Sequence, residues 1–177
     1  AGEDWVFTRE IFDPEVGRVT RRGFIMLPGG CCYMGCNFCP YRQAVADYVK
    51  DEPVTEEEFK MLFDTAFSLL KDIEVLEIWT GGSFFKEIPA SAQLYILRKI
   101  GERNDGVLRK LRVESLPKFI EVETLRVAKI ALGNIRLDVA IGFETQDNEI
   151  RKKLGKLPVM TKGLYESTVY ILKENGC

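Results

Sequence analysis

Apolar residues along this chain fall into two alternating rhythms. Short stretches at 21–27 (Arg-Arg-Gly-Phe-Ile-Met-Leu), 75–79, 111–114 and 135–141, apolar with charges interspersed, have the length and pattern of strands. Between them apolar positions recur at helical spacing. Thr55-x-x-Glu58 is a capping box, and Phe59, Leu62, Phe63, Ala66 and Leu70 follow it on one face. A second helix follows Pro89 through about residue 103, and a third runs over 121–131 to Gly133-Asn134. A short helical turn at 149–154 and a last helix over roughly 162–175 complete the pattern.

Strand and helix alternating four times predict an α/β fold, a parallel sheet with right-handed crossovers. Residues 1–20 scatter Trp5, Val6, Phe7, Ile11 and Phe12 among charges, with a turn signal at Asp13-Pro14. They read as a lead-in that packs on a single domain spanning 21–177. Asp51-Glu52-Pro53 reads as a further break in the chain. The sequence stops at Asn175-Gly176-Cys177, a helix C-cap where another strand is due, so further strands are expected beyond it.

The 177 residues are 46% apolar and 29% charged, a globular composition with room for a real core. No apolar run reaches a membrane span and no signal-peptide pattern opens the chain, so the expected location is cytoplasmic. A net charge of −2 gives no global case for a polyanion partner. The chain has no histidine, which removes His-ligated zinc, His-dependent triads and imidazole acid–base catalysis.

Cysteine changes the picture most. Four of the five lie between 31 and 39, in Cys31-Cys32-Tyr33-Met34-Gly35-Cys36-Asn37-Phe38-Cys39, entered through Leu27-Pro28-Gly29-Gly30. Clustering suits metal or redox chemistry better than a disulfide framework. Cys32, Cys36 and Cys39 form C-x3-C-x2-C, and three soft thiolates suit an iron–sulfur cluster with one iron open to a non-protein ligand. The residues alone leave other arrangements: closed zinc, buried apolar cysteines, a four-cysteine electron-transfer cluster, or the triplet Cys31, Cys36 and Cys39. The other strand ends carry Gly81-Gly82, Glu114-Ser115 and Gly142-Phe143-Glu144. In parallel α/β folds ligands gather at such ends.

C-x3-C-x-aromatic-C, followed by these strand ends in this order, resembles the radical S-adenosylmethionine (SAM) superfamily over about residues 21–177. The resemblance implies a partial (β/α) barrel, here of about four β/α units. It implies a 4Fe–4S cluster on Cys32, Cys36 and Cys39 whose open iron takes the amine and carboxylate of SAM. An external electron donor then drives reductive cleavage of SAM to a 5′-deoxyadenosyl radical, which abstracts hydrogen from a substrate. Phe38 is then expected near the adenine, Thr80-Gly81-Gly82-Ser83 at the methionine amine, Glu114 at the ribose hydroxyls, and Glu144 and Lys156 beside SAM. Ser83 stands where the commonest form of the motif has glutamate. Residues 141–151 (Ile-Gly-Phe-Glu-Thr-Gln-Asp-Asn-Glu-Ile-Arg) are similar to the segment shared by the elongator catalytic subunit group and the archaeosine-forming enzymes, which implies a tRNA partner. That group often spaces its cysteines more widely, and this chain is not basic. The alternative from another class is a non-catalytic zinc or iron–sulfur module.

Overall fold

The computed structural model describes residues 5–33, 35–40, 54–103 and 105–177. The chain break read at Asp51-Glu52-Pro53 lies outside them. Among the described residues five strands form one sheet in the order β1-β2-β3-β4-β5. They are β1 (Val6–Asp13), β2 (Arg18–Met26), β3 (Val75–Trp79), β4 (Lys110–Glu114) and β5 (Arg136–Ala140). β2 through β5 are parallel, each pairing with the strand before it, while β1 runs antiparallel to β2 from Val6↔Ile25 to Asp13↔Arg18. The sheet is open.

β1 corrects the reading of the first residues as a mere lead-in. Asp13-Pro14 is indeed a turn, but it closes a hairpin, with Asp13 O accepting from the N–H of Gly17 at 2.9 Å and Asp13 Oδ1 from that of Glu15 at 3.0 Å. Arg9 and Glu10 interrupt the apolar alternation that would have announced a strand. They stand where an edge strand tolerates charge.

Among the described residues the helices between strands are α1 (Glu56–Leu69), a single turn α2 (Phe84–Glu87), α3 (Ala90–Gly101) and α4 (Val122–Leu132), and α5 (Asn148–Lys153) and α6 (Lys162–Glu174) follow β5. The capping box at α1 is present in both directions. Thr55 Oγ1 accepts from the Glu58 N–H at 3.2 Å, and a Glu58 carboxylate oxygen accepts from the Thr55 N–H at 2.7 Å. Phe59, Phe63, Ala66 and Leu70 are buried and Leu62 packs beside them.

Strand alternation splits the sheet into two unlike faces. Ile25, Leu76, Ile78, Leu111, Val113 and Leu137 point to one side and form a continuous core with Phe63 of α1, Ile96 and Ile100 of α3, Leu125 of α4 and Leu172 of α6. Each such side chain contributes about 1.5–3 kcal/mol by leaving water. The opposite face carries Arg22, Glu77, Lys110, Arg112, Arg136 and Asp138, in register across four strands. These are ion-paired: Arg22 to Glu77 at 2.8 Å, Arg112 to Asp138 at 3.3 Å and to Glu77 at 3.6 Å, and Lys110 to Asp138 at 3.5 Å. Asp13 and Glu15 of the hairpin join them through Lys110, so the turn end of β1 closes the base of this layer. Among the described residues no helix is long and apolar enough to cross a membrane.

Candidate functional site

Directly above the ion-paired layer, at the carboxyl ends of β2 to β5, lies a cleft of about 270 Å³. Each strand end contributes to its wall. β2 leads into Cys31, Tyr33, Cys36, Phe38 and Cys39. β3 supplies Trp79, Gly81, Gly82 and Ser83. β4 supplies Glu114, Ser115 and Leu116, and the segment after β5 supplies Gly142, Glu144 and Lys156. Phe38, Gly81, Gly82, Ser83, Glu114, Glu144 and Lys156, singled out from sequence, thus all border one space.

The cysteines divide differently from their spacing. Cys36 and Cys39 face the cleft together with Cys31, whereas Cys32 is exposed outside its wall. Cys32 N–H donates to the Glu87 carboxylate at 2.7 Å, and its thiol is also hydrogen-bonded to Glu87. Burial, the Glu87 hydrogen bond and the Glu87 charge push the Cys32 thiol up to about 11. Burial also raises Cys31 and Cys36, the latter opposed by the nearby Lys156 ammonium. These thiols are therefore protonated at neutral pH, and a metal would have to displace their protons.

Among the described residues no three Cys, Asp or Glu side chains stand close enough to hold a metal ion. The donor set still suits a soft metal centre in kind. Cys31, Cys36 and Cys39 border one cleft and interact electrostatically, and Cys32 is one peptide away from the first of them.

The glycines have a packing reason. A Cβ on Gly82 would fall 2.4 Å from Gly30 O and 2.8 Å from the Cys31 Cα, so only glycine lets β3's loop lie against the cysteine loop. Ser83 is fully buried, and its Oγ accepts the Leu116 N–H at 2.9 Å, tying the loops after β3 and β4 together. Its role here is that tie as well as lining the cleft.

Among the described residues, charge in the cleft comes from two carboxylates and one ammonium. Lys156 Nζ lies 3.3 Å from Glu144 Oε1, and both act on Glu114. Burial raises the Glu114 carboxyl above its ordinary value; Lys156 opposes this and Glu144 adds to it. Glu144 is held in the left-handed region, φ 67°, within a tight turn closed by Thr145 N–H to Phe143 O at 2.8 Å. That conformation costs a non-glycine residue about 1–3 kcal/mol and recurs at functional sites. Arg151, fully buried, holds the turn by donating to Thr145 O and Asn148 Oδ1 and by lying 4.4 Å over the Phe143 ring.

Sequence reading missed Trp79, Tyr33, Asn37, Glu87, Arg151 and Gly155. Trp79 was discoverable, since alternation along β3 puts it on the face of Glu77 at the end nearest the cleft. Arg151 acts locally, on Phe143, Thr145 and Asn148, yet its burial is not announced by its charge. The others act through contacts across more than fifty residues, for which a single chain carries no local signal.

No family model and no solved structure matches the chain. The chain is similar to archaeosine synthase subunit beta of Methanosarcina acetivorans, with 29% identity over 121 residues. The match takes in 67% of this chain and 34% of that protein, so the chain spans about a third of the relative's length.

Proposed function

We propose that this chain is the cofactor-binding domain of a radical SAM enzyme that acts on tRNA. The observation that carries the reading is the convergence of four strand ends on one cleft, bringing thiols, close-approaching glycine backbone, two carboxylates and a lysine to the same space. The sequential strand order, with the apolar core on one face of the sheet, supports a partial (β/α) barrel rather than a doubly wound sheet, which reverses its strand order.

Cys36 and Cys39 would hold a 4Fe–4S cluster with one thiol of the Cys31-Cys32 pair. Motif spacing designates Cys32, while Cys31 faces the cleft. When bound, the cluster supplies the electron that cleaves the sulfonium bond of SAM, and the chemistry beyond that belongs to the cofactors. The chain's own part is binding and exclusion. Backbone at Gly81 and Gly82 admits an amine or carboxylate close to the main chain. Glu114 and Glu144 accept hydrogen bonds from hydroxyl groups and, among the described residues, outnumber the Lys156 ammonium in the cleft, which favours a cationic group. Trp79 and Phe38 give it apolar walls for a planar group and help keep water out. The tRNA substrate rests on the similarity to an archaeosine synthase subunit and on the segment 141–151.

Anaerobic reconstitution with iron and sulfide tests the reading. Brown protein with about four irons per chain that cleaves SAM under reduction is expected. Colourless protein holding one tight zinc would instead identify a non-catalytic metal module. Retention of unmodified tRNA on the reconstituted protein, against a DNA hairpin control, tests the substrate.

A further inference from the structure

The cysteine loop does not stand alone. It lies on the carboxyl end of α5, a helix whose last carbonyls have no partners within it. Asn37 N–H donates to Leu154 O at 3.0 Å, Asn37 Nδ2 donates to Lys153 O at 2.9 Å, and the Tyr33 hydroxyl donates to Gly155 O. Three successive carbonyls at one helix end are thus satisfied by two side chains and one amide from a loop more than 110 residues away. Gly155 makes the approach possible. Its φ is +70°, and a Cβ there would sit 2.0 Å from Gly35 O, in the middle of the cysteine loop.

The same α5 carries the other half of the cleft. Asp147 caps its start through Oδ1 to the N–H groups of Glu149 and Ile150, and Arg151 within it holds the turn at Glu144. Lys156, which pairs with Glu144, follows Gly155 directly. Asn37 lies between two of the thiols and Lys156 immediately beyond the carbonyls they rest on.

We propose that Asn37 and Tyr33 are positioning residues that seat the cysteine loop on the end of α5, so that the thiols and the Glu144–Lys156 pair are set by one element. The claim rests on the radical SAM reading only for its second consequence, cluster retention. Its first consequence is a property of the protein without cofactor: residues 31–33, 35–40 and 153–156 gain or lose order together.

The test compares wild type with Tyr33→Phe, Asn37→Ala and Asn37→Asp. Tyr33→Phe removes only a hydroxyl. Asn37→Asp keeps the side chain's size but turns an acceptor toward the Lys153 carbonyl, so it is expected to be worse than alanine, an order that a role in filling space would reverse. Amide hydrogen exchange on the cofactor-free proteins is expected to speed up roughly five- to tenfold on both sides of the contact for each lost hydrogen bond. Exchange in β3 and β4 is expected to stay unchanged. After anaerobic reconstitution and a chelator challenge, iron retained is expected to fall in the order wild type, Tyr33→Phe, Asn37→Ala, Asn37→Asp. Unchanged exchange in Tyr33→Phe and Asn37→Asp would overturn the proposal. If the wild type takes up no iron, the radical SAM reading fails, and the exchange measurement decides the seating by itself.

Discussion

Two adjacent cysteines in this loop occupy different chemical environments: the Glu87 charge acts on both, but Glu87 hydrogen-bonds Cys32. Glu87 takes both the amide and the thiol of Cys32, and that thiol lies near 11 while its neighbour turns to the cleft. Glu87→Gln removes the carboxylate charge and weakens the acceptor, which lowers the Cys32 thiol toward its ordinary value. In metal-free protein at pH 9, alkylation of Cys32 by iodoacetamide is expected to accelerate severalfold, read by peptide mass spectrometry. An unchanged rate would mean that burial alone sets this thiol. At this scale the sequence was informative about kind and silent about orientation. C-x3-C-x2-C marks thiols for a shared purpose, yet Cys31 faces the cleft while Cys32 is hydrogen-bonded to Glu87, some 55 residues away, and the spacing carries no sign of that.

Between elements, backbone proximity decides more than side-chain choice. α3 meets α4 at Gly101, where a Cβ would lie 2.2 Å from Ala131 O. Backbone cannot yield as a flexible side chain can, so Gly101→Ala is expected to destabilise the protein by about 1–3 kcal/mol through forced helix displacement. A urea midpoint shift at constant slope would register it, and no shift would show that the helices can slide apart freely. The helices themselves were legible: the box at Thr55 and the stripe from Phe59 to Leu70 are local patterns, and the structure has both. β1 was not legible, because Arg9 and Glu10 sit in the middle of it and its partner is supplied by β2. The single turn α2 was missed because four residues give no periodicity to read.

For the molecule as a whole, the ionic face of the sheet ties hairpin and parallel strands together. Arg22 and Glu77 are almost fully buried, with side-chain exposures of 7% and 5%. Removing one partner leaves the other charged in a low-dielectric layer, so Glu77→Ala is expected to cost about 3–5 kcal/mol. Replacing both by apolar residues is expected to recover most of that loss, as measured by urea unfolding of the single and double variants. The same layer predicts acid sensitivity. Asp13 lies below its ordinary value of 3.8: burial opposes the charge, but the Glu15 N–H, Lys110 and Arg109 together outweigh it. Glu15 lies below 4.5 through Lys110 and Arg136, and Glu74 through Arg18. Depressed carboxylates stabilise fully above their ordinary values and lose that contribution as pH falls through the lower folded values. Unfolding midpoints are expected to decline progressively below about pH 4.5. A flat profile down to pH 3 would contradict the ionic layer as drawn.

The strand order has one more consequence, and it concerns time rather than space. Because the sheet reads β1-β2-β3-β4-β5 in both sequence and space, each strand leaving the ribosome finds its neighbour already made. The hairpin needs only local contacts and is complete before β3 is synthesised, and no strand has to wait for a later one to fill a gap beside it. At about 5–20 residues per second, the chain can build its sheet during translation, one edge at a time. The cysteine loop is the exception to this order. It emerges early and can meet Gly82 and Glu87 soon after, but the carbonyls on which Tyr33 and Asn37 rest belong to residues 153–155, so that contact waits until nearly the whole described chain has followed.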